Sequence, residues 1–379
     1  MKHLLHLVGA CAALGVLGSG CSEGESPKPT NTFPLAWKTQ TGVFKSGIEL
    51  PALADGRLFL GDGYFSNPFI EAYSTETGQS LWKQPAVGDF DEIVHDAGRV
   101  FVVGGRAVKA FDAATGTPLW TFVPAADTLS FQQPSAGLGR VYVGSRRSGR
   151  VLAVDAATGR ELWRTTLAAP DWPFSNSVIS TTLHEGVLYA VMGRGFTVNN
   201  FLKATYIVAL DPATGRELWR YEDGDGTRPQ QPVGHVSFYG DLVLYGDHYD
   251  GYVAAFNRTT RQEVWRYDLP DNWIGTTQAP TVEGDRAYVA TGEGAVYAFE
   301  AATGRVIWKS ERRGSLDWQA LCGRWVGASF TGALSFDKAT GANGPELHLS
   351  SVMQSAVVSD GRRFYFSAED GVYAYNCTE

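Results

Sequence analysis

Residues 110–120 read Ala-Phe-Asp-Ala-Ala-Thr-Gly-Thr-Pro-Leu-Trp, residues 153–163 read Ala-Val-Asp-Ala-Ala-Thr-Gly-Arg-Glu-Leu-Trp, and residues 209–219 read Ala-Leu-Asp-Pro-Ala-Thr-Gly-Arg-Glu-Leu-Trp. These are copies of one unit, and a fixed period of this kind decides the architecture before any local propensity does. The turn residue recurs as Ser74, Asp112, Asp155, Asp211, Asn257, Glu300 and Asp337. Thr stands three residues later in all seven copies, and Gly one further on in six, with Arg261 as the exception. Eight residues after the turn residue stands Trp82, Trp120, Trp163, Trp219, Trp265 or Trp308, and Pro345 in the seventh copy. Ala lies two residues before the turn residue in every copy but one, which has Ser335. An eighth, partial copy is Val372-Tyr373-Ala374-Tyr375-Asn376.

The chemistry of the unit follows from its residues. Asp or Asn accepts backbone hydrogen bonds inside a tight turn, and Gly takes the left-handed conformation. The run before the turn is slim on one face, with Ala, and bulky on the other, which marks a strand buried on both faces. One indole per unit beside a small Ala suits packing between units, and its N–H needs an acceptor, which the turn backbone can supply.

A second landmark precedes each copy: Gly56-Arg57, Gly98-Arg99, Gly139-Arg140, Gly186-Val187, Gly240-Asp241, Gly284-Asp285, Gly323-Arg324 and Gly361-Arg362. Each unit therefore reads strand, Gly turn, strand, loop, strand, Asp-Thr-Gly turn, Trp strand. Four antiparallel strands in a period of about 40 to 45 residues make a propeller blade. The eighth copy has no Trp strand after it, and Leu35-Ala36-Trp37-Lys38-Thr39, 45 residues ahead of Trp82, supplies one. The expectation is an all-β, eight-bladed propeller over residues 35–379, closed by the strand around Trp37 joining the C-terminal strands. The degenerate copy at Asp337 leaves a seven-bladed ring as the alternative.

Composition agrees. Among 379 residues are 44 Gly, 11 Trp, 16 Tyr and 20 Phe, with only 3 Met, which favours short strands and tight turns over helices. The net charge of −8 argues against a nucleic-acid binder, which carries a basic footprint. Residues 1–20 read as an export signal, because the apolar run is too short to span a bilayer. Leu17-Gly18-Ser19-Gly20-Cys21 resembles a bacterial lipobox, with Leu one position further from the cysteine than usual, so Cys21 is the expected lipidation site and plain secretion the alternative. Residues 21–34 lack apolar periodicity and read as a flexible tether. Cys322 and Cys377 are then candidates for a disulfide in an oxidising compartment.

The Ala-x-Asp-x-x-Thr-Gly-x-x-x-Trp pattern resembles the pyrroloquinoline-quinone-type propeller repeat, over residues 35–379. That family has two branches that matter. The quinoprotein dehydrogenases imply an axial quinone with calcium and an adjacent Cys-Cys disulfide. No adjacent cysteines exist in this chain, and no residue here can be matched to the calcium ligands. The BamB-like lipoproteins are similar in size, blade number, lipobox and export. They imply a non-catalytic, monomeric scaffold on the periplasmic face of the outer membrane, held there by lipid alone, with the barrel-assembly machinery as partner and no cofactor. A quinone-dependent oxidoreductase and an extracytoplasmic sensor or ligand-binding propeller are the alternatives.

No catalytic or metal site is assigned. Glu222-Asp223-Gly224-Asp225-Gly226 starts like a calcium loop, but Gly234 stands where the closing Glu is needed, so a solvated acidic loop is expected. Asp247-His248-Tyr249-Asp250 reads as a polar turn, and the histidines show no metal-ligand spacing. In a four-stranded blade the short turns open on one face and the long loops on the other. The long loops carry Phe90, Phe131, Trp172, Phe174, Trp273 and Trp318, and an insertion in the unit between Trp163 and Trp219 adds Phe196 and Phe201. These eight aromatics are the candidate partner-binding residues, since loops on a rigid scaffold carry function and aromatics are enriched at interfaces.

Overall fold

A computed structural model describes residues 33–40, 50–63, 67–88, 90–124, 131–145, 148–167, 176–194, 204–223, 230, 232–270, 275–276, 278–292, 294–310, 317–321, 323–329 and 332–377. The chain forms eight four-stranded antiparallel sheets, and among the described residues there is no helix. Seven blades are continuous in sequence, over 52–85, 90–122, 131–166, 176–223, 237–268, 281–309 and 317–348. They are called blades 1 to 7 below. Blade 8 comprises Val358–Ser359, Arg363–Ala368 and Gly371–Asn376, with Leu35–Thr39 as its outer strand. Trp37 pairs with Ala374 there, so the two ends of the ring share one sheet. First strands of neighbouring blades touch at six of the eight junctions, including that of blades 1 and 8, so they line the centre and the ring is closed.

Each blade is built as its residues require. The second and third strands are buried on both faces: Arg57–Asp62 and Phe69–Ser74 in blade 1 are buried nearly throughout. The fourth strand alternates, leaving Leu81, Leu119, Leu218 and Val264 on the outer rim. In the turn after the third strand, Asp112 Oδ1 accepts from the backbone N–H groups of Ala114 (3.0 Å) and Thr115 (2.8 Å). These bonds hold the Asp112 carboxyl below the usual range, with the Thr115 backbone and hydroxyl as the main causes. Asp155 and Asp337 repeat the arrangement.

The indoles join one blade to the next. Within its own sheet each faces the slim Ala: Ala72 opposite Trp82, Ala110 opposite Trp120, Ala153 opposite Trp163. In all but Trp219 its N–H donates to a carbonyl in the next unit's turn. Trp82 Nε1 donates to the Ala113 oxygen at 3.1 Å, Trp120 to Ala156 at 3.2 Å, Trp265 to Ala301 at 3.0 Å, and Trp37 to Thr75 at 2.9 Å. The ring plane lies over the glycine of that turn. A Cβ on Gly116, whose φ is +71°, would stand 2.4 Å from Trp82 Cδ2. Glycine is needed there both for the left-handed backbone and for the approach of the ring. Burying an indole removes about 150–250 Å² from water, worth roughly 4–6 kcal/mol at about 25 cal/mol per Å².

Two units depart from the pattern, and each shows a local remedy. Arg261 holds φ +60° where the others have Gly, so its Cβ occupies the space the indole would fill. Trp219, which serves that turn, stands edge-on to Phe256 at 85°, whereas Trp82 and Trp265 stack on the equivalent Phe111 and Phe299 at 26° and 20°. In blade 7 the outer strand is only Leu347–His348. Ser335, in place of Ala, donates its hydroxyl to the Pro345 carbonyl at 2.6 Å, and Gly344 N–H donates to the Ser335 carbonyl at 2.7 Å. These bonds hold the chain where proline takes the place of the Trp strand, so the ring keeps eight blades.

Candidate functional site

The candidate face is the one that receives the long loops, where each outer strand ends and the next first strand begins. Five of the eight aromatics expected there, Trp172, Phe174, Phe196, Phe201 and Trp273, lie outside the described residues. Phe131 opens the first strand of blade 3 and Trp318 lies in the first strand of blade 7; their side chains also lie outside the described set.

Phe90 is a correction. It is fully buried, at the start of the first strand of blade 2, paired with Gly104. Its ring fills a slot between blades that three glycines leave open. A Cβ on Gly61 would lie 2.5 Å from Phe90 Cζ, one on Gly63 2.8 Å from Cδ1, and one on Gly104 2.6 Å from Phe90 Cβ. Phe90 is therefore a packing residue and does not face a partner. Gly144 opens the same kind of slot to Val178, and Gly246 to Thr276, each from the next blade in sequence.

Asp223 is a second correction. The Asp-Gly-Asp-Gly run suggests a solvated loop, but Asp223 is the last residue of the outer strand of blade 4 and is buried. Its Oδ1 receives Arg266 Nη2 at 2.7 Å; its Oδ2 accepts from the Tyr245 hydroxyl at 2.8 Å and from the Tyr252 hydroxyl. The Arg266 guanidinium lies over the Tyr252 ring, 4.0 Å from its centroid. Burial, reinforced by the neighbouring phenol and the Asp223 charge, pushes the Tyr245 hydroxyl well above its usual range. Both phenols therefore stay protonated and act as donors to the carboxylate. The cluster closes the seam between blades 4 and 5 just where a long loop departs.

Asp247 is also buried, at the end of the second strand of blade 5. Its Oδ1 accepts from the N–H groups of Tyr249 (2.9 Å) and Asp250 (2.8 Å), and His248 Nδ1 lies 3.0 Å from the Thr276 carbonyl. This is the polar turn its sequence suggests. Among the described residues no three His, Cys, Asp or Glu side chains converge as metal ligands. Cys377 is disulfide-bonded and follows the third strand of blade 8; its expected partner, Cys322, lies outside the described residues.

Sequence reading missed a contact between blades 2 and 5 in the central opening. Glu92, in the first strand of blade 2, places Oε2 3.3 Å from Nε2 of His235, which precedes the first strand of blade 5. The two residues are 143 positions apart and neither belongs to the repeated unit, so no spacing signals the pair.

Residues 32–203 and 203–324 match the family model described as outer membrane protein assembly factor BamB. The quinoprotein alcohol dehydrogenase PedH of Pseudomonas putida is 26% identical over 329 residues, covering 73% of this chain and 53% of that protein. BamB of Nitrosomonas eutropha is 31% identical over 102 residues, covering 27% of this chain and 22% of that protein. The chain thus spans about half, or less, of the length of the curated relatives it matches. The crystal structure of BamB from Moraxella catarrhalis superposes with a TM-score of 0.67 at 18% identity, covering 91% of this chain and 98% of that one. That likeness speaks for the fold.

Proposed function

The chain belongs to the outer membrane protein assembly factor BamB family, and from that premise we propose that it is a non-catalytic envelope scaffold that assists outer-membrane protein assembly. In this reading Cys21 carries lipid, residues 21–34 tether the ring to the periplasmic face of the outer membrane, and the long-loop face docks components of the barrel-assembly machinery. The observation that carries the reading is the family match through residues 32–324. The chemistry supports it: the aromatics expected on that face suit a protein interface, and the buried Asp223 and Asp247 carboxylates are satisfied by the protein's own groups. Deleting the gene tests it. Outer-membrane barrel proteins should fall in amount and recover when the wild-type chain is restored, but not when Cys21→Ala is.

A second reading, a quinone-dependent oxidoreductase, is favoured by the 73% coverage in the alignment with PedH. Against it stand the lack of adjacent cysteines and the Glu92–His235 contact between blades 2 and 5 in the central opening, the region where that branch would hold its quinone. Titrating the purified chain with pyrroloquinoline quinone and calcium, and following dye-linked alcohol oxidation, separates the two readings.

A further inference from the structure

The proposed assembly role makes no use of the Glu92–His235 contact, and its hydrogen-bond arithmetic sets it apart. His235 Nδ1 lies 3.0 Å from the Thr181 carbonyl oxygen and 3.1 Å from Thr182 Oγ1. A carbonyl oxygen only accepts, so Nδ1 bears a hydrogen. Nε2 faces Glu92 Oε2 at 3.3 Å. A carboxylate oxygen also only accepts, so this edge needs a hydrogen as well. Neutral imidazole has one N–H, and the ring is flanked by two acceptors. The pair therefore holds one proton more than a carboxylate beside a neutral ring.

The position of the pair matters as much as its proton count. Blades 2 and 5 are three steps apart around the ring, so a side-chain contact between them crosses the central opening. The chain around His235 is tied to blades 3 and 4. Ser180 Oγ donates to the Gly234 carbonyl at 2.7 Å, Thr181 Oγ1 donates to the Tyr142 carbonyl at 3.2 Å, and Ser135 Oγ bonds Thr181 Oγ1 at 3.1 Å. The neighbours from blade 3, Gln133 and Ser135, and from blade 4, Thr181 and Thr182, carry no charge. Among the described residues Glu92 is the titratable group that acts on the ring. Burial draws the imidazole pKa down, but the charge and hydrogen bond of Glu92, together with the hydrogen bond to the Thr181 carbonyl, outweigh it, and the net direction is up.

We propose that Glu92 and His235 form a proton-operated latch across the central opening, closed while the pair holds its proton and opened when the proton leaves. On deprotonation the Nε2 lone pair meets the carboxylate, two acceptors face each other, and the Glu92 side chain is released. The other contacts around His235 remain, so opening is confined to the axis.

Histidine ¹H–¹³C spectra of the full chain, recorded from about pH 5 to 9, test the proton count. One resonance, absent in His235→Gln, should titrate above the free value of about 6.5. In Glu92→Gln it should move down by about one unit or more. A His235 midpoint at or below the free value, or one unmoved by Glu92→Gln, overturns the proposal. If His235→Gln does not fold, the resonance that moves in Glu92→Gln identifies the ring. Hydrogen exchange in wild-type chain tests the opening. After correction for intrinsic rates, exchange at residues 90–96 should rise through the same midpoint, and a flat profile refutes the latch.

Discussion

Replacing Gly116 by alanine puts a methyl group where the Trp82 ring lies. The backbone there has φ +71°, and the added Cβ would be 2.4 Å from Cδ2 and 2.6 Å from Cγ of the indole. Three costs arise. An L-residue in the left-handed region costs about 1–2 kcal/mol. Pushing the ring out of a packed seam costs about 1–3 kcal/mol. Losing the Trp82 Nε1 bond to the Ala113 carbonyl, 3.1 Å long, costs about 1 kcal/mol net. Gly98 is the matched control, because it has φ +73° and nothing within 4 Å of its added Cβ. Gly98→Ala should therefore show the backbone cost alone, while Gly116→Ala should exceed it by about 2–4 kcal/mol. Urea unfolding followed by tryptophan fluorescence, on both variants and wild type, gives the difference from the shift in midpoint. If the two variants are equally destabilised, the indole does not clamp the next blade's turn and the account of ring cohesion fails.

Further expectations concern the corrected residues and the latch. Phe90→Ala should empty the slot between Gly61, Gly63 and Gly104 and cost about 3–5 kcal/mol in thermal or urea unfolding. A nearly neutral result would instead return Phe90 to the exposed face. Asp223→Ala leaves Arg266 beside the buried Tyr245 and Tyr252 hydroxyls without its inner carboxylate, and should cost about 3–5 kcal/mol. Asp223→Asn should cost less, because the amide oxygen still accepts from a phenol. The pH dependence of stability follows from the raised His235 pKa. A raised folded pKa gives stabilisation that is complete below the unfolded value of about 6.5 and is lost as pH rises through the folded value. The stability gap between wild type and Glu92→Gln, measured by urea unfolding, should therefore be widest near pH 6 and close towards pH 9. A gap that widens with pH would reverse the sign and exclude the charged pair.

Much of the fold was legible because it depends on local chemistry repeated many times. The Asp-x-x-Thr-Gly turn, the Ala on the slim face and the Trp eight residues on each follow from a single blade's needs. Their spacing gave the number of blades and the closing strand at Trp37. The copy at Asp337 kept its turn but lost its Trp, and one hydroxyl at Ser335 marks the substitute, a signal too small to read without the structure. Contacts that cross from blade to blade were not legible. Phe90 looked like an exposed loop aromatic because its slot is cut by glycines that lie 27 to 29 residues before it and 14 after it. Asp223 sits in a run of small and acidic residues that reads as solvated, and only the neighbouring blade supplies Tyr245, Tyr252 and Arg266. Glu92 and His235 meet because of the ring's radius, which no periodicity encodes. The structural framework was therefore open to sequence reasoning, and the polar contacts between distant blades were not.

The most direct test of the scaffold reading is crosslinking in the cell, with the tagged full chain and mass spectrometry of what co-purifies. The account predicts recovery of the barrel-assembly subunits, and loss of that recovery when Trp172, Trp273 and Phe201 are changed to charged residues in a chain that still folds. If those subunits are not captured by wild type, or if the loop-face substitutions leave capture intact, the scaffold role through that face is contradicted.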